Sequence, residues 1–423
     1  MLEITYVRQN PEDVKKRLAV KHFAELHLVD ELLVIDETRR QTQKVLDDNL
    51  ARQNAIAKEI GDLFKQGKKA EAENKKAEVA QLKEDSKSLE VKLADAEQDM
   101  RNILVRIPNL PNPQVPEGKI PEHNVVVKQV GEIPALAEGA LEHWDLAKKY
   151  DLFDLELGVK ITGAGFPVYK KQGAKLQRSL VSFFLDEAEK AGYMEVIPPH
   201  MVNEASAFAT GQLPDKEGQM YHITVDGFYM IPTAEVPVTN IVRDEILEEK
   251  NMPAKFVAYS PCFRREAGSY GKDVRGLNRV HQFEKVEIVQ IAHPDKSYQV
   301  LDEMIAHVES LLQKLELPYR ILRLCGGDMS FSSALTYDFE VYSAAQKRWL
   351  EVSSVSNFET YQSNRLKTRF RDENKKTRLV HTLNGSALAL PRIVASLLEN
   401  HQTANGVRIP AALQPYTGFS AIS

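Results

Sequence analysis

Arginine, glutamate and aromatic residues gather in one short stretch, Tyr259 to Ile291, YSPCFRREAGSYGKDVRGLNRVHQFEKVEIVQI. Its pattern predicts a strand, a polar glycine-rich loop and a second strand, an antiparallel hairpin. Side chains two apart on a strand share a face. Arg264 and Glu266 are therefore expected to point one way on the first strand, and Phe283 and Glu287 to share a face on the second. If the two faces coincide, one surface offers a guanidinium, two carboxylates and an aromatic plane. That set suits a nucleotide, which carries phosphates, an amine and a flat base. The loop from Ala267 to Arg279 carries Lys272, Arg275 and Arg279 among Gly268, Gly271 and Gly276. It is basic and suited to touching a polyanion. The same composition would also serve a solvated, charged hairpin.

A second group stands upstream. Thr233 and Glu235 close the strand-like run Phe228-Tyr229-Met230-Ile231-Pro232. A hydroxyl and a carboxylate there could meet a small zwitterion. They equally fit the start of a helix over Glu235 to Leu247, with Thr233 near its cap. No G-x-x-x-x-G-K-[ST] loop occurs, and neither does H-I-G-H or K-M-S-K-S. A nucleotide must be held in some other way.

The elements that position these residues can be read in outline. The chain has 423 residues, enough for two or three domains, and an ordinary globular composition of 43% hydrophobic and 27% charged residues. There is no run of about 18 apolar residues. The N-terminus, MLEITYVRQN, lacks a basic segment followed by an apolar one. A cytoplasmic protein with no membrane contact is expected. Cys262 and Cys325 are the only cysteines; they make no disulfide framework and cannot fill a four-thiolate zinc site, so no zinc is expected. The net charge of −5 weighs mildly against non-specific nucleic-acid binding, yet permits a locally basic surface.

Residues 1–26 read as a short extended piece and then a helix starting near Pro11. From about Val29 to Ile107 proline is absent and Ala, Glu, Lys and Gln dominate. Val79, Leu82, Ser86, Leu89, Leu93, Ala96, Met100 and Ile103 alternate spacings of three and four, a heptad seam with one polar lapse. A weaker seam runs from Ile35 to Leu63. Gly61 and Gly67 flank a lysine cluster, where a reversal is expected near 64–70. The prediction is two long antiparallel helices, either an oligomerisation or spacer device or an arm that contacts RNA. Prolines at 108, 111, 113, 116, 121 and 134 mark 108–134 as a linker. Beyond it a mixed domain is expected over 135–423, giving an α+β chain. Gly173–Gly192 reads as a helix leading into the strand-like Tyr193–Pro199, and Leu301–Leu315 as another helix. Strands are expected at Tyr319–Leu324, Tyr337–Val341, Trp349–Ser354 and Leu379–Leu383. Asn384-Gly385-Ser386 should then turn into a helix running to about Asn400, with Pro391 in its second turn, where it removes a donor and can kink the helix.

F-R-R-E-A-G-S followed by R-G-L-x-R-x-H-Q-F-x-K-V-E resembles motif 2 of the class II aminoacyl-tRNA synthetases in its seryl-tRNA synthetase version. The helix and strand over 173–199 are similar to motif 1, the dimer interface, and the 379–400 segment to motif 3, with Arg392 as its arginine. IPNLPNPQVPEGK and the His143-Trp144-Asp145-Leu146 run are also similar to seryl enzymes. The resemblance implies a bacterial-type serine–tRNA ligase with an antiparallel catalytic sheet and a helical arm that grips a long tRNA variable arm by shape. It implies that Arg264 and Arg392 hold ATP phosphates, with Phe283 and Glu266 at adenine and Arg265, Val280, Val352 and Ser353 nearby. Glu351 and Ser354 would hold Mg²⁺. Those two are three apart on a strand, so a bend or bulge is expected there. Serine would meet Thr233, Ala234, Glu235, Arg264, Glu287, Asn384 and Ser386. The implied partners are tRNA(Ser), with selenocysteine tRNA a further candidate, and a second copy of the chain. Ala387 and Pro391 depart from glycines common in the family and leave the aim of Arg392 open. The rival from another class is a non-catalytic RNA-binding or scaffold paralogue. It would have damaged motifs, whereas Arg264, Glu266, Glu287, Glu351 and Arg392 are all present.

Overall fold

A computed structural model describes residues 1–267 and 275–423. Lys272, Gly268 and Gly271 of the basic loop lie outside the described residues. The chain divides into two units, one of residues 2–19 and 23–108, the other of residues 1, 20–22 and 109–423.

In the first unit, α1 (Ile4–Gln9) and α2 (Pro11–Val20) replace the expected extended piece. Val7, Val14 and Leu18 recur at helical spacing and are fully buried, which a strand would not achieve. Pro11 opens α2, where its missing N–H costs nothing. Then come α3 (His27–Lys65) and α4 (Lys69–Leu104), the two long helices. They reverse through Gln66–Lys68, with Gly67 at φ +75°, a conformation that suits glycine. Lys75 pairs with Glu59 and Arg52 with Glu78, so the helices run antiparallel. The polar lapse in the seam is satisfied internally. Gln53 donates to Ser86 Oγ at 2.9 Å, and Ser86 donates to the Leu82 carbonyl at 2.8 Å.

The second unit is built on an eight-stranded sheet. Its strands in chain order are β1 (Val125–Val130), β2 (Met194–Glu195), β3 (Ala254–Phe263), β4 (Gln282–Ala292), β5 (Tyr319–Arg323), β6 (Leu335–Ser343), β7 (Arg348–Asn357) and β8 (His381–Ala389). In space they run β1-β5-β6-β7-β8-β4-β3-β2, antiparallel except where β2 pairs with β3. The stretch 108–134 thus contributes an edge strand, β1. The expected strand Tyr193–Pro199 shrinks to β2, because Pro198 and Pro199 have no N–H to add to a ladder.

Helices α5 (Lys171–Lys190), α6 (Ser297–Lys314) and α7 (Leu390–Asn400) share one apolar core with the sheet. Leu176, Leu180 and Phe184 of α5, Val308 and Leu311 of α6, and Ile393 and Leu398 of α7 meet sheet residues such as Val286, Ile288, Phe339 and Leu383. Each such side chain contributes about 1.5–3 kcal/mol.

Two expectations fail here. The 384–386 segment does not turn: β8 continues through it to Ala389, and α7 begins at Leu390. Pro391 therefore occupies the first turn of α7, where N–H groups have no intrahelical acceptor, and it causes no kink. The helix expected over Glu235–Leu247 is one turn, Glu235–Thr239, followed by a 3₁₀ turn at Asn240–Val242. Asp244 at φ +62° ends it, and Ile246–Glu248 joins a small separate sheet with Arg369–Arg371.

Candidate active site

The hairpin forms as the alternation demands. Phe263 faces Gln282 and Ala254 faces Ile291 across the β3–β4 ladder. The first strand ends at Phe263, however, so Arg264 and Glu266 lie beyond it rather than on it. Glu266 has φ +48°, which bends the chain out of the ladder. The four residues still reach one place, a cleft of about 600 Å³ lined by Arg264, Glu266, Phe283 and Glu287. The Arg264 guanidinium stands over the Phe283 ring at 5.2 Å, and its Nε donates to the Pro232 carbonyl at 3.3 Å. Arg279 pairs with Glu266 at 3.0 Å.

The same cleft collects the other sequence candidates. Thr233, Glu235, Val280, Glu351, Val352, Ser353, Ser354, Asn384, Ser386 and Arg392 all line it. Ala234 does not: it is buried in an apolar cluster with Val238 and Phe256. Arg265 is also absent from the lining, and its amide donates to the Gln219 carbonyl at 2.9 Å.

Two irregularities in the sheet aim these side chains. On β7, Phe339 faces Ser353 and Glu340 faces Glu351, so Val352 is an extra residue. Ser354 stands opposite Asp338, two residues from Glu340. Glu351 and Ser354 therefore come to one face despite their spacing of three, which is the expected bulge. On β8, Glu287 faces Ser386 and Lys285 faces Ala389, so one residue is extra there as well. Leu388, inside this second bulge, has φ +83°, a strained conformation for a residue with a Cβ. Glu287 and Ser386 form the last regular pair before this bulge, and the extra residue displaces the partner of Lys285 to Ala389.

At one end of the cleft Glu235, Glu287 and Lys285 form a buried group. Lys285 is ion-paired with Glu287. Gln362 donates to Glu235 at 2.7 Å. Burial, reinforced by the charge of Glu287, pushes the Glu235 carboxyl up to about 7. Thr233 Oγ1 accepts from the Glu235 amide at 3.2 Å, a local turn bond just before the helix, whose N-cap is Ala234 without a side-chain cap. At the other end Arg392 Nε donates to the Asn278 carbonyl at 3.0 Å and its Nη1 to the Glu351 carbonyl at 2.6 Å. Its guanidinium lies 3.8 Å from the Glu351 carboxylate. These contacts fix the direction of Arg392 that the sequence left open.

Lys285 and Asp338 are among the cleft residues that escaped the sequence reading. Lys285 continues the alternation of Phe283 and Glu287 and could have been found from it. Asp338 sits in no local motif. Burial and then the charge of Glu351 raise its carboxyl well above the usual range, and its Oδ1 has no hydrogen-bond partner. An orphaned buried carboxylate oxygen beside Glu351 and Ser354 is a donor set suited to a hard divalent cation. Among the described residues no cluster of three or more His, Cys, Asp or Glu forms a metal site, and no helix is long and apolar enough to cross a membrane.

Residues 1–111 match the seryl-tRNA synthetase N-terminal domain, and residues 221–401 match the tRNA synthetase class II core domain (G, H, P, S and T). The serine–tRNA ligase of Salinibacter ruber is 51% identical, over 100% of this chain and 99% of that protein. That of Chlorobaculum parvum is 45% identical over 100% of both. Among solved structures, the seryl-tRNA synthetase from Pyrococcus horikoshii complexed with ATP superposes with a TM-score of 0.93 at 34% identity, covering 100% of this chain and 99% of that one.

Proposed function

The chain belongs to the seryl-tRNA synthetase family and is a class II serine–tRNA ligase, and we propose on that premise how its cleft does the work. Serine's carboxylate attacks the α-phosphate of ATP, giving seryl-adenylate and pyrophosphate. A terminal ribose hydroxyl of tRNA(Ser) then attacks the acyl carbon and releases AMP. No protein acid or base is needed to ionise a carboxylate, so the first step rests on charge neutralisation and in-line positioning.

Arg264 clasps the α-phosphate and carboxylate, and Phe283 stacks on adenine, with Glu266 at its amine and Val280 beside it. Arg392, held by Asn278 and Glu351, meets the terminal phosphate. The single observation that carries this reading is that Arg264, Phe283, Glu287, Glu351 and Arg392, scattered over 129 positions of sequence, line one cleft. Glu351, Ser354 and Asp338 fit Mg²⁺, which when bound would neutralise phosphate charge. Serine lies against Glu287 and Ser386, with Thr233, Glu235 and Asn384 around it. A polar pocket of this kind rejects alanine, whose lack of a hydroxyl leaves buried groups unpaired.

We further infer that residues 1–107 act as the tRNA-binding arm, that 108–134 lead into the catalytic region, and that the enzyme works as a cytoplasmic homodimer. Supporting the dimer, Met194 and Ile197 at the β2 edge of the sheet are exposed apolar residues next to the motif 1 helix α5.

The test is ATP–pyrophosphate exchange with each of the twenty amino acids, without tRNA. Exchange with serine alone is expected. Exchange with another amino acid instead, or with none from folded protein, would overturn the assignment.

A further inference from the structure

Behind the cleft lies a buried polar network that the proposed chemistry does not use. His143 and Glu399 have fully buried side chains, and His143 Nδ1 lies 2.6 Å from Glu399 Oε1. The His143 amide donates to the same oxygen at 3.0 Å. Ser343 donates its hydroxyl to the other oxygen, and Gln346 donates to the first at 3.0 Å. Burial alone would raise the Glu399 carboxyl, but His143 and Ser343 together hold it below the usual range. Glu399 thus accepts the hydrogen bond from Nδ1–H, which leaves Nε2 as an acceptor. That acceptor receives the Leu277 amide at 2.8 Å.

Leu277 belongs to the return leg of the basic loop, and the neighbouring Asn278 does two things. Its side chain donates to Gln346 at 3.0 Å, and its carbonyl receives Arg392 Nε at 3.0 Å. Glycine is required just before. Gly276 has φ +64°, and a Cβ there would sit 2.1 Å from His143 Nε2. Glu399 lies near the far end of the helix whose first turn carries Arg392. One buried network therefore ties the loop's return leg to both ends of α7.

We propose that His143 is a positioning residue for the nucleotide. By accepting the Leu277 amide it fixes Asn278, and so fixes the guanidinium of Arg392 where the terminal phosphate arrives. This inference rests on the reading of Arg392 given above.

The test uses full-length enzyme carrying His143→Leu, His143→Gln, Gly276→Ala or Arg392→Ala. ATP–pyrophosphate exchange gives the KM for ATP and for serine separately, and hydrogen exchange follows the Leu277 amide without substrates. Losing one buried acceptor is expected to raise the KM for ATP about tenfold in His143→Leu, with the KM for serine within about twofold. The Leu277 amide should lose protection. His143→Gln, whose side-chain carbonyl can replace Nε2, should return most of both effects. If His143→Leu fails to fold, Gly276→Ala supplies the same measurement from the loop side. An unchanged KM for ATP with an unprotected Leu277 amide would overturn the proposal. So would equal rises for ATP and serine, the mark of a merely structural role. If Arg392→Ala leaves the KM for ATP intact, the reading of Arg392 fails, while amide protection still reports whether His143 holds the loop.

Discussion

The helical arm and the cleft solve opposite problems with the same chain. Along the middle of the arm few side chains are buried, Leu46 and Ile56 on one helix and Ala72, Ser86 and Ala96 on the other. Most of its ion pairs are exposed and join neighbouring turns, such as Lys65 with Asp62 and Lys76 with Glu73, and such pairs are each worth little. Its information is periodic and local, and it tolerates a buried serine because a glutamine across the seam satisfies it. The cleft is the reverse. Its side chains arrive from strands and turns far apart in sequence, and their aim depends on two one-residue irregularities and a buried network. Reach can be built by repetition, whereas a reacting geometry must be assembled from distant parts.

The sharpest way to break this contrast is to strike one cleft residue. Arg264→Ala should lower kcat/KM for ATP–pyrophosphate exchange by about 10³-fold, because a fixed charge facing the transferring phosphoryl group is lost. Its melting temperature should stay close to wild type, since the side chain meets the Pro232 carbonyl and the Phe283 ring face rather than packing in the core. Next comes excision of Gln53–Ser86 with a short turn joining the stumps. Serine-dependent exchange should persist within about twofold, and tRNA charging should fall by about 10²-fold as phosphate contacts are lost. A parallel loss of exchange would mean that the arm is not separable from the chemistry.

A smaller effect probes the serine end of the cleft. Glu235 titrates near 7, and serine's ammonium favours its ionised form. Binding below that pH therefore requires a proton to leave first. The KM for serine should rise several-fold, roughly three- to tenfold, from pH 8 to pH 6. Glu235→Gln should raise the KM and flatten this dependence; a slope that survives in the variant would place the titration elsewhere. The smallest effect is in the arm. Replacing Gln53 and Ser86 together by leucine should leave exchange unchanged and raise the arm's stability by about 1 kcal/mol, read from thermal unfolding.

What could be read from sequence follows the same division. The arm helices and their reversal were legible because heptad spacing and Gly67 are local signals. So was the hairpin, whose two strands are neighbours in the chain. The bulge at Val352 could be inferred only because two donors expected on one face were three apart. The extension of β8 past Ser386 was not legible, because Asn384-Gly385-Ser386 has the composition of a turn and only pairing with β4 and β7 keeps it straight. Asp338 was silent for the same reason: its meaning comes from Ser354 across the ladder. Lys285 was legible and overlooked, one step along an alternation already drawn.

The supernumerary Val352 carries a lesson for anyone engineering this strand. The pairing register of β7 matters to the site as much as the identity of its residues. If the same residues zipped into a regular ladder, with Val352 taking a partner of its own, Glu351 and Ser354 would fall on opposite faces, splitting the pair without mutating either one. A sequence comparison would call such a site intact, since every functional letter would still be present. Here the frame of the strand is as much a part of the site as its side chains.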